Sequence, residues 1–350
     1  MNNEDLHVIS QERTLFDALG VINSIGAGPL VLFVLDDGKK MVGTLTDGDI
    51  RRGLLRGLDI HAKISEAMHR DFNFLRDGVD DIVISLQKQR ELKMKLVPVL
   101  DDSNHIVDIV NLDKYRTKLP VDVVLMAGGK GERLRPLTEK TPKPLIRVGD
   151  KCIIDHNIDR LLLYGVKHIS VTVNYLREQL EEHFSVPHGE IKINTVREPQ
   201  YLGTIGSIRF VEAFHNDTIL VMNSDVFTNI DYEDFFLHFK QNVADMSVAA
   251  VPYVVKVPYG VFNLEGREIK GVTEKPTISY YANAGIYLIK KELLDLVPEN
   301  LCFNATDFME LLITRGYKVI RYPISGYWID IGQHDELERA REIAKHVGEL

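Results

Sequence analysis

The pattern of apolar and polar positions changes character near residue 120 of the chain. Beyond that point short apolar runs alternate with amphipathic stretches, which predicts strands alternating with helices. These segments are "VDVVLMA", "IIDHNIDRLLLYG", "HISVTV", "LREQLEEHF" and "TILVMNSD". Such an alternation indicates a mainly parallel sheet covered on both faces. Further strands in "DMSVAAVPY", "YGVFNLEG" and "REIKGVTEKP" indicate an antiparallel portion, and "HDELERAREIAKHVGEL" predicts a last helix.

Before residue 120 the pattern repeats itself. "TLFDALGVINSIGAGPLVLFVLDDGKKMVGTLTDGDIRRGL" predicts helix, strand, turn, strand and helix, with the last helix beginning near Asp49. "DIVISLQKQRELKMKLVPVLDDSNHIVDIVNLDKY" repeats the strand, the "DD" turn and the second strand. The polar stretch "YRTKLPVD" at 115–122 reads as a linker. We therefore expect two domains, 1–118 and 121–350.

Composition narrows the classes of function. The 350 residues are 45% hydrophobic and 27% charged, which is typical of a globular protein with two domains. A net charge of −9 argues against a nucleic-acid partner, and no apolar run approaches the roughly 20 residues of a membrane span. Cys152 and Cys302 cannot form a disulfide framework, and the polar first residues do not resemble a secretion signal. These features lead us to expect a cytoplasmic protein.

One short stretch is unusual for so acidic a chain. "MAGGKGERLRPLTEKTPKPL", at 126–145, holds three glycines and five cations directly after a predicted buried strand. In an open α/β sheet this is where ligands bind, and glycine amides with nearby cations are suited to phosphate. The stretch is neither a Walker A loop nor the dinucleotide fingerprint, because the required Gly-Lys-Ser/Thr and the third glycine are missing. It predicts a phosphate site of another kind.

The stretch "LMAGGKGERLRPLTEKTPKPLI" is similar to the signature of sugar-1-phosphate nucleotidylyltransferases. The further motifs "VNYL", "EPQYLGTIGSI", "NSD", "YGVF", "EKP", "NAGIY" and "WIDIG" follow in that family's order and extend the resemblance over nearly all of 121–332. The resemblance implies a Rossmann-like, mixed, mainly parallel sheet. It also implies transfer of a nucleoside monophosphate from a nucleoside triphosphate to a sugar-1-phosphate, with Mg²⁺ as cofactor.

The same resemblance implies roles for individual residues. Arg133 would hold the β- and γ-phosphates, Lys143 would lie near the α-phosphate, and Asp225 and Asp330 would bind Mg²⁺, so that Arg133, Lys143 and Asp225 form the catalytic set. The implied nucleotide-binding residues are Leu125, Ala127, Gly128, Gly129, Gly131, Glu198, Gly203 and Thr204. The implied sugar-binding residues are Gly260, Glu274, Lys275 and Asn283.

Glu198 bears on the choice of base. Guanine presents two neighbouring N–H donors that a carboxylate accepts in parallel, whereas uracil and thymine present one N–H flanked by carbonyl oxygens. Glu198 and "LGT-x-G" resemble mannose-1-phosphate guanylyltransferases, which favours GTP. The fusion to an N-terminal repeat resembles glucosamine-1-phosphate guanylyltransferases of legionaminic acid synthesis and of cell-surface polysaccharides, so both hexose phosphates stay open. Uridylyl or thymidylyl transfer to glucose-1-phosphate is the alternative.

The N-terminal repeat resembles a tandem CBS domain (Bateman module), an α+β regulatory module. By that resemblance Thr46 and Asp49 in "GTLTDGD" would bind an adenine nucleotide, while the second copy has Asn111 and Lys114 at the matching positions. Thr46 and Asp49 are equally compatible with a purely structural helix cap. A homo-oligomer is expected, and the repeats offer one way to build it. A catalytically silent nucleotide sensor is the remaining alternative function.

Overall fold

A computed structural model of the chain describes residues 6–26, 28–79 and 81–347. Its contacts divide the chain into two compact units, Met1–Lys118 and Leu119–Leu350, called here the N-terminal and C-terminal units. The outer ends of the two domains expected from the sequence, 1–5 and 348–350, lie outside the described residues.

The N-terminal unit contains two small sheets with the same topology. Its elements are β1 (Val8–Ser10), α1 (Leu15–Ile25), β2 (Val31–Leu35), β3 (Met41–Thr46), α2 (Asp47–Leu55), β4 (Leu75–Arg76), α3 (Ile82–Glu91), β5 (Leu96–Leu100) and β6 (Ile106–Asn111). In the first sheet β2 is parallel to β1 and antiparallel to β3, and in the second β5 is parallel to β4 and antiparallel to β6. The structure therefore contains the repeat predicted from the sequence.

The two copies differ after their last strand. Helix α2 follows β3 and begins at Asp47, two residues before the predicted start, because Thr46 is its N-cap and Asp49 its third residue. After β6 the Asn111 side-chain oxygen instead accepts hydrogen bonds from the amides of Asp113 and Lys114, at 2.9 and 3.2 Å. These bonds close a turn, and the described residues contain no counterpart of α2 there.

The C-terminal unit is built around a seven-stranded sheet. Its strands are β7 (Val121–Met126), β8 (Arg147–Val148), β9 (Lys151–Cys152), β10 (His168–Val173), β11 (Asn194–Arg197), β12 (Thr218–Asn223), β13 (Val226–Thr228), β14 (Met246–Lys256), β15 (Val261–Glu265), β16 (Glu268–Thr273), β17 (Thr277–Lys290), β18 (Val319–Pro323) and β19 (Trp328–Asp330). Its helices are α4 (Ile153–Leu163), α5 (Arg177–His183), α6 (Tyr232–Gln241), α7 (Ala305–Thr314) and α8 (His334–Val347).

The strand order of the large sheet is β11-β10-β7-β12-β17-β14-β18. Four neighbouring pairs are parallel, and only β17 runs against its neighbours. Strands β7, β10 and β12 are almost wholly buried, as expected for strands covered on both faces. The predicted fold class, a mixed and mainly parallel α/β sheet preceded by a small module of strands and helices, is confirmed.

The sheet has a topological switch point between β7 and β12. From β7 the chain moves outward through α4, β10, α5 and β11, and it then returns to place β12 on the other side of β7. The loops that leave β7 and β12 therefore diverge and leave a crevice at the carboxyl ends of these strands. The glycine-rich stretch and "NSD" both begin at that crevice.

Three two-stranded sheets, β8–β9, β13–β19 and β15–β16, complete the described part of the unit. Strands β15 and β16 form an antiparallel hairpin, and the outer halves of β14 and β17 form a two-stranded ribbon next to it. Antiparallel pairing of β13 with β19 brings the last strand of the chain beside the end of β12. None of the helices in the described ranges combines the length and the hydrophobicity needed to cross a membrane.

Asp122, at the start of β7, is 3% exposed and accepts hydrogen bonds from the amide of His215 and from both the amide and the side chain of Asn216. Asp122→Ala leaves these donors unsatisfied, and we expect the free energy of unfolding to fall by about 2–3 kcal/mol. Urea denaturation measures the change. Asp217→Ala, in the same loop but exposed, is the control and should change stability by less than about 0.5 kcal/mol. Equal effects of the two substitutions would contradict this assignment.

Candidate active site

The crevice at the switch point is a cleft of about 690 Å³, a size that suits a small-molecule ligand. It is lined by Met126, Ala127, Gly128, Gly129, Lys130, Gly131, Glu132, Arg133, Lys143, Pro144, Asn174, Glu198, Tyr201, Gly203, Thr204, Asn223, Ser224, Asp225 and Gly332. Backbone amides, cations and carboxylates thus surround one cavity, although they come from segments far apart in the sequence.

The glycine-rich loop after β7 is fixed by local contacts. Gly131 has φ +62°, and a Cβ there would lie 3.0 Å from Thr138 Cγ2 and 3.1 Å from Lys143 Cβ. The Thr138 hydroxyl donates to the Gly131 carbonyl oxygen at 2.8 Å, and the Tyr175 hydroxyl donates to the Thr138 carbonyl oxygen at 3.0 Å. Only glycine combines this dihedral with so little space, so the loop holds its amides along the cleft wall.

Lys143 lies between two carboxylates at the end of the cleft. Its ammonium group pairs with Asp225 Oδ2, and its Nζ lies 3.8 Å from Asp330 Oδ1. The lysine side chain is buried, in a short 3₁₀ turn between Pro142 and Pro144. Burial raises the pKa of Asp330, and the negative charge of Asp225 raises it further. The lysine therefore offsets a local excess of negative charge.

Strand pairing explains how two distant aspartates meet. In the antiparallel pair β13–β19, Val226 is opposite Asp330, so Asp225 lies next to it, and the Ile331 amide donates to the Asp225 carbonyl oxygen at 3.1 Å. A hydrophobic cluster that includes residues of α8 packs against the β13–β19 pair. Its buried members are Leu134, Ile146, Val148, Ile153, Phe227, Ile329, Ile331, Leu337 and Ala340.

The two aspartates fit a magnesium ion. Asp225 Oδ1 is buried and has no hydrogen-bond partner among the described residues, so this oxygen can coordinate a cation. Mg²⁺ is typically held by one or two carboxylates and completes its octahedron with phosphate oxygens and water. The described residues contain no group of three or more His, Cys, Asp or Glu side chains that could hold a metal without such a ligand.

Arg133, in a short 3₁₀ turn that follows Gly131, lines the same cleft. Its guanidinium group packs on Gly332, where a Cβ would lie 2.9 Å from Nη2. The side chain is exposed and forms no salt bridge with any described residue. It can therefore bind a phosphate group in the cleft in the bidentate manner that suits guanidinium.

Glu198 also lines the cleft. It is 2% exposed, and its carboxylate lies against Gly128, where a Cβ would be 2.6 Å from Oε1. Burial raises the pKa of Glu198, and hydrogen bonds such as the one from the Asn174 amide at 3.5 Å offset this only in part. A carboxylate kept buried in this way is suited to a ligand that brings its own donors.

Gly203 and Thr204 form the rim next to Glu198. Gly203 has φ +79°, and a Cβ there would lie 2.6 Å from the Phe303 carbonyl oxygen. The Thr204 hydroxyl accepts a hydrogen bond from the first amide of α7, that of Ala305, at 2.9 Å. Both residues line the cleft as predicted, and both also anchor the segment that precedes α7.

Several predicted residues lie elsewhere. Leu125 is completely buried in β7 and does not line the cleft. None of the four sugar-binding candidates lines it either: Gly260, Glu274 and Lys275 are exposed near the β15–β16 hairpin, and the Asn283 amide donates to the Tyr287 hydroxyl at 2.9 Å. Their roles stay predictions.

The cleft also contains residues that were not predicted. Lys130, Glu132, Asn174, Tyr201, Asn223, Ser224 and Gly332 line it. All of them lie inside or beside the motifs quoted above, "GGKGER", "VNYL", "EPQYL", "NSD" and "WIDIG". The motifs could have identified these residues, because neighbours of a ligand-binding loop often face the same cavity.

In the N-terminal unit, the candidate ligand residues Thr46 and Asp49 form hydrogen bonds to each other. The Thr46 hydroxyl donates to Asp49 Oδ2 at 2.6 Å, and the same carboxylate also accepts from the Thr46 amide at 2.9 Å and from Arg52 at 2.6 Å. Burial opposes ionisation of Asp49, but the hydrogen bonds from Thr46 and Arg52 outweigh it and lower its pKa. Thr46 lines a cleft of about 380 Å³, whereas Asp49 does not. Their adenine-nucleotide role stays a prediction.

Comparison with known proteins bears on both units. The model of the Nucleotidyl transferase family matches residues 122–346, and the model of the CBS domain matches residues 1–56, the region of the first repeat copy. A mannose-1-phosphate guanyltransferase of Yarrowia lipolytica is 31% identical over 219 residues, 60% of each chain. A mannose-1-phosphate guanylyltransferase catalytic subunit beta of Danio rerio is 29% identical over 219 residues, 60% of this chain and 61% of the relative.

A solved structure shares the fold of the C-terminal unit. It is described as a "Putative Glucose-1-Phosphate Thymidylyltransferase from Bacillus anthracis", is 25% identical and superposes with a TM-score of 0.51. The match covers 64% of this chain and 95% of the solved one. The chain spans about 60% of the length of the curated relatives that it matches.

The raised pKa of Glu198 predicts a pH-dependent effect on stability. The folded protein resists ionisation of this carboxyl group, so a cost to stability is absent below the unfolded value of about 4.3, grows as the pH rises from there, and reaches its full size above the raised folded-state pKa. Glu198→Gln removes that cost. We expect the variant to unfold at a higher urea concentration than the wild type at pH near 8, with a smaller difference near pH 5.

Glu212→Gln, at an exposed position, is the matched control and should leave the urea midpoint unchanged at both pH values. A Glu198→Gln variant that is less stable than the wild type near pH 8 would contradict the inference that the buried carboxylate is a stability cost.

Proposed function

Because the chain belongs to the nucleotidyl transferase family and carries an N-terminal CBS domain, we propose that it transfers GMP from GTP to a hexose-1-phosphate and releases pyrophosphate. The observation that carries this proposal is the ion-pair group of Lys143, Asp225 and Asp330, of which Lys143 and Asp225 line the same cleft as the glycine-rich loop. A triphosphate on that loop brings its α-phosphate towards a buried cation and two carboxylates.

The reaction needs little covalent chemistry from the protein. At neutral pH the phosphate of a sugar-1-phosphate is mostly deprotonated, so its oxygen can attack the α-phosphorus of GTP without a general base. The new P–O bond forms as the bond to the β-phosphate oxygen breaks, and pyrophosphate leaves in line. Lys143 stabilises the charge that develops at the α-phosphate, and Arg133 holds the leaving pyrophosphate.

Asp225 and Asp330 are the residues that would hold Mg²⁺ in the proposed reaction. The ion, when bound, neutralises phosphate oxygens and helps to orient the two reactants. The buried Oδ1 of Asp225, which has no hydrogen-bond partner within 6–26, 28–79 and 81–347, supports this role. Lys143 already contacts both carboxylates, which would keep the α-phosphate, the ion and the ammonium group within one small volume.

The choice of guanine rests on Glu198. Its carboxylate is buried beside Gly128 in the wall of the cleft, with room beside it only because position 128 lacks a side chain. Guanine N1–H and N2–H₂ are two adjacent donors that a carboxylate can accept together. The relatives described as mannose-1-phosphate guanylyltransferases support the same base.

We propose mannose-1-phosphate or glucosamine-1-phosphate as the acceptor, the latter in legionaminic acid synthesis. The relatives support mannose, and the N-terminal CBS domain favours glucosamine by architecture alone. Gly260, Glu274, Lys275 and Asn283 remain the proposed sugar-binding residues. An adenine nucleotide in the cleft that contains Thr46 is the proposed second ligand.

Pyrophosphate release tests the proposed reaction. We expect release with Mg²⁺, GTP and one of the two hexose phosphates, and a fall in kcat/KM of about a thousandfold or more in Asp225→Asn, because the metal loses an anionic ligand. Asp150→Asn, in the exposed β8–β9 turn, is the control and should retain full activity. Unchanged activity of Asp225→Asn would refute the assignment of the metal ligand. If none of the nucleoside triphosphates tested gives pyrophosphate release, the proposed function is refuted.

Glu198→Gln tests the base. A carboxamide offers one donor and one acceptor, which pairs with N3–H and O4 of uracil or thymine but leaves one guanine N–H without an acceptor. We expect the ratio of kcat/KM for GTP to that for UTP to fall by about a hundredfold. The measurement is the same assay with each triphosphate in turn, and an unchanged ratio would show that Glu198 does not select the base.

A further inference from the structure

Residues 252–281, called here the flap, contain almost no buried side chain. They comprise the outer halves of β14 and β17 and the whole β15–β16 hairpin. This is unusual for a segment with so many large apolar residues. Tyr253, Val254, Tyr259, Phe262, Leu264, Ile269, Val272, Tyr280 and Tyr281 are each more than half exposed.

The hairpin displays its apolar residues on one face. Phe262 is opposite Val272, and Leu264 is opposite Ile269 across a one-residue bulge, so these four side chains share a face. Polar and small residues, such as Asn263 opposite Gly271, occupy the other face. A half-buried strand normally shows this alternation with the apolar face covered. In the flap the apolar face is the exposed one.

The ribbon beside the hairpin has the same character. Tyr253 is opposite Tyr280 and Val255 is opposite Ile278, which places four apolar side chains on one of its faces. An isolated two-stranded ribbon is only marginally stable in water and needs a further layer to be firmly folded. The flap consists of two such ribbons, so a partner that is present whenever the chain is folded best meets this need. A second copy of the chain is such a partner.

The exposed apolar area approaches that of a dimer interface. The four side chains of the hairpin face, and Tyr253 and Tyr280 of the ribbon, are each more than half exposed, and at roughly 100 Å² each they present about 600 Å². A typical stable interface buries about 800 Å² on each partner, whereas scattered apolar residues on a monomer rarely form a patch above about 600 Å².

Charge also favours a second copy. The flap has four cations, Lys256, Arg267, Lys270 and Lys275, and three anions, Glu265, Glu268 and Glu274, although the whole chain carries −9. The flap therefore carries little net charge, and two flaps related by a two-fold axis do not repel each other strongly. We propose that the apolar face formed by Phe262, Leu264, Ile269 and Val272 is the dimer interface of this protein, packed against the same face of a second copy.

Sedimentation equilibrium of the full chain tests this interface. We expect a dimer in the wild type and a dissociation constant raised by about tenfold or more in Leu264→Lys and in Val272→Lys, because each substitution places a charge in the apolar contact. Val186→Lys is the matched control, because Val186 is 68% exposed, compared with 64% for Leu264, and lies outside the flap. It should leave the dissociation constant unchanged.

Amide hydrogen exchange of the wild type gives a second readout that needs no variant. We expect the amides of 261–273 to exchange more slowly as the protein concentration rises, since association covers the hairpin. The proposal is overturned by a wild type that stays monomeric, by a dimer that survives both flap substitutions, or by hairpin exchange that does not change with concentration. None of these results depends on catalysis, so the interface and the proposed function stand or fall separately.

Discussion

The contact on which the C-terminal unit depends is the ammonium group of Lys143 held between the carboxylates of Asp225 and Asp330. A buried cation is costly unless it is paired, and two neighbouring carboxylates repel each other unless a cation separates them. The three residues come from a turn, the end of a central strand and the last strand of the chain. The contact therefore couples the folding of these three segments. It also lies where the α-phosphate of the nucleoside triphosphate is proposed to react.

The strand pairs around that point explain why it can form. β7 and β12 are parallel neighbours at the switch point, so the glycine-rich loop and Asp225 leave the same edge of the sheet. β19 adds Asp330 through its pairing with β13, and α8 packs on the cluster beneath. Each of these elements is recognisable in the sequence as an apolar run or an amphipathic stretch. Their order in the sheet is not recognisable there, because register and strand order depend on contacts between distant segments.

The sequence predicted the fold class and most of the elements because buried strands and amphipathic helices leave strong periodic patterns. It placed the start of α2 two residues late, since Thr46 and Asp49 were read as ligands as well as caps and the cap geometry sets the boundary. Many of the predicted site residues line the cleft, among them Gly128, Arg133 and Lys143, while their roles stay predictions. The predicted sugar-binding residues do not line the cleft. Gly260, Glu274 and Lys275 lie in an exposed segment, and the sequence pattern does not indicate which other segments lie near it.

Residue type alone did not separate structural from functional carboxylates, but their hydrogen bonds do. Asp49 and Asp122 are acceptors for several local donors, so their lone pairs are already used in holding the chain. Asp225 keeps a buried oxygen that has no hydrogen-bond partner in the part of the chain that the structure describes, and burial raises the pKa values of Glu198 and Asp330. The protein's own partners offset the cost of burying these carboxylates only in part. A ligand that brings hydrogen-bond donors or positive charge removes this cost of burial when it binds. For that reason Asp225, Glu198 and Asp330, and not Asp49 or Asp122, are the carboxylates at which substrate and metal are proposed to bind.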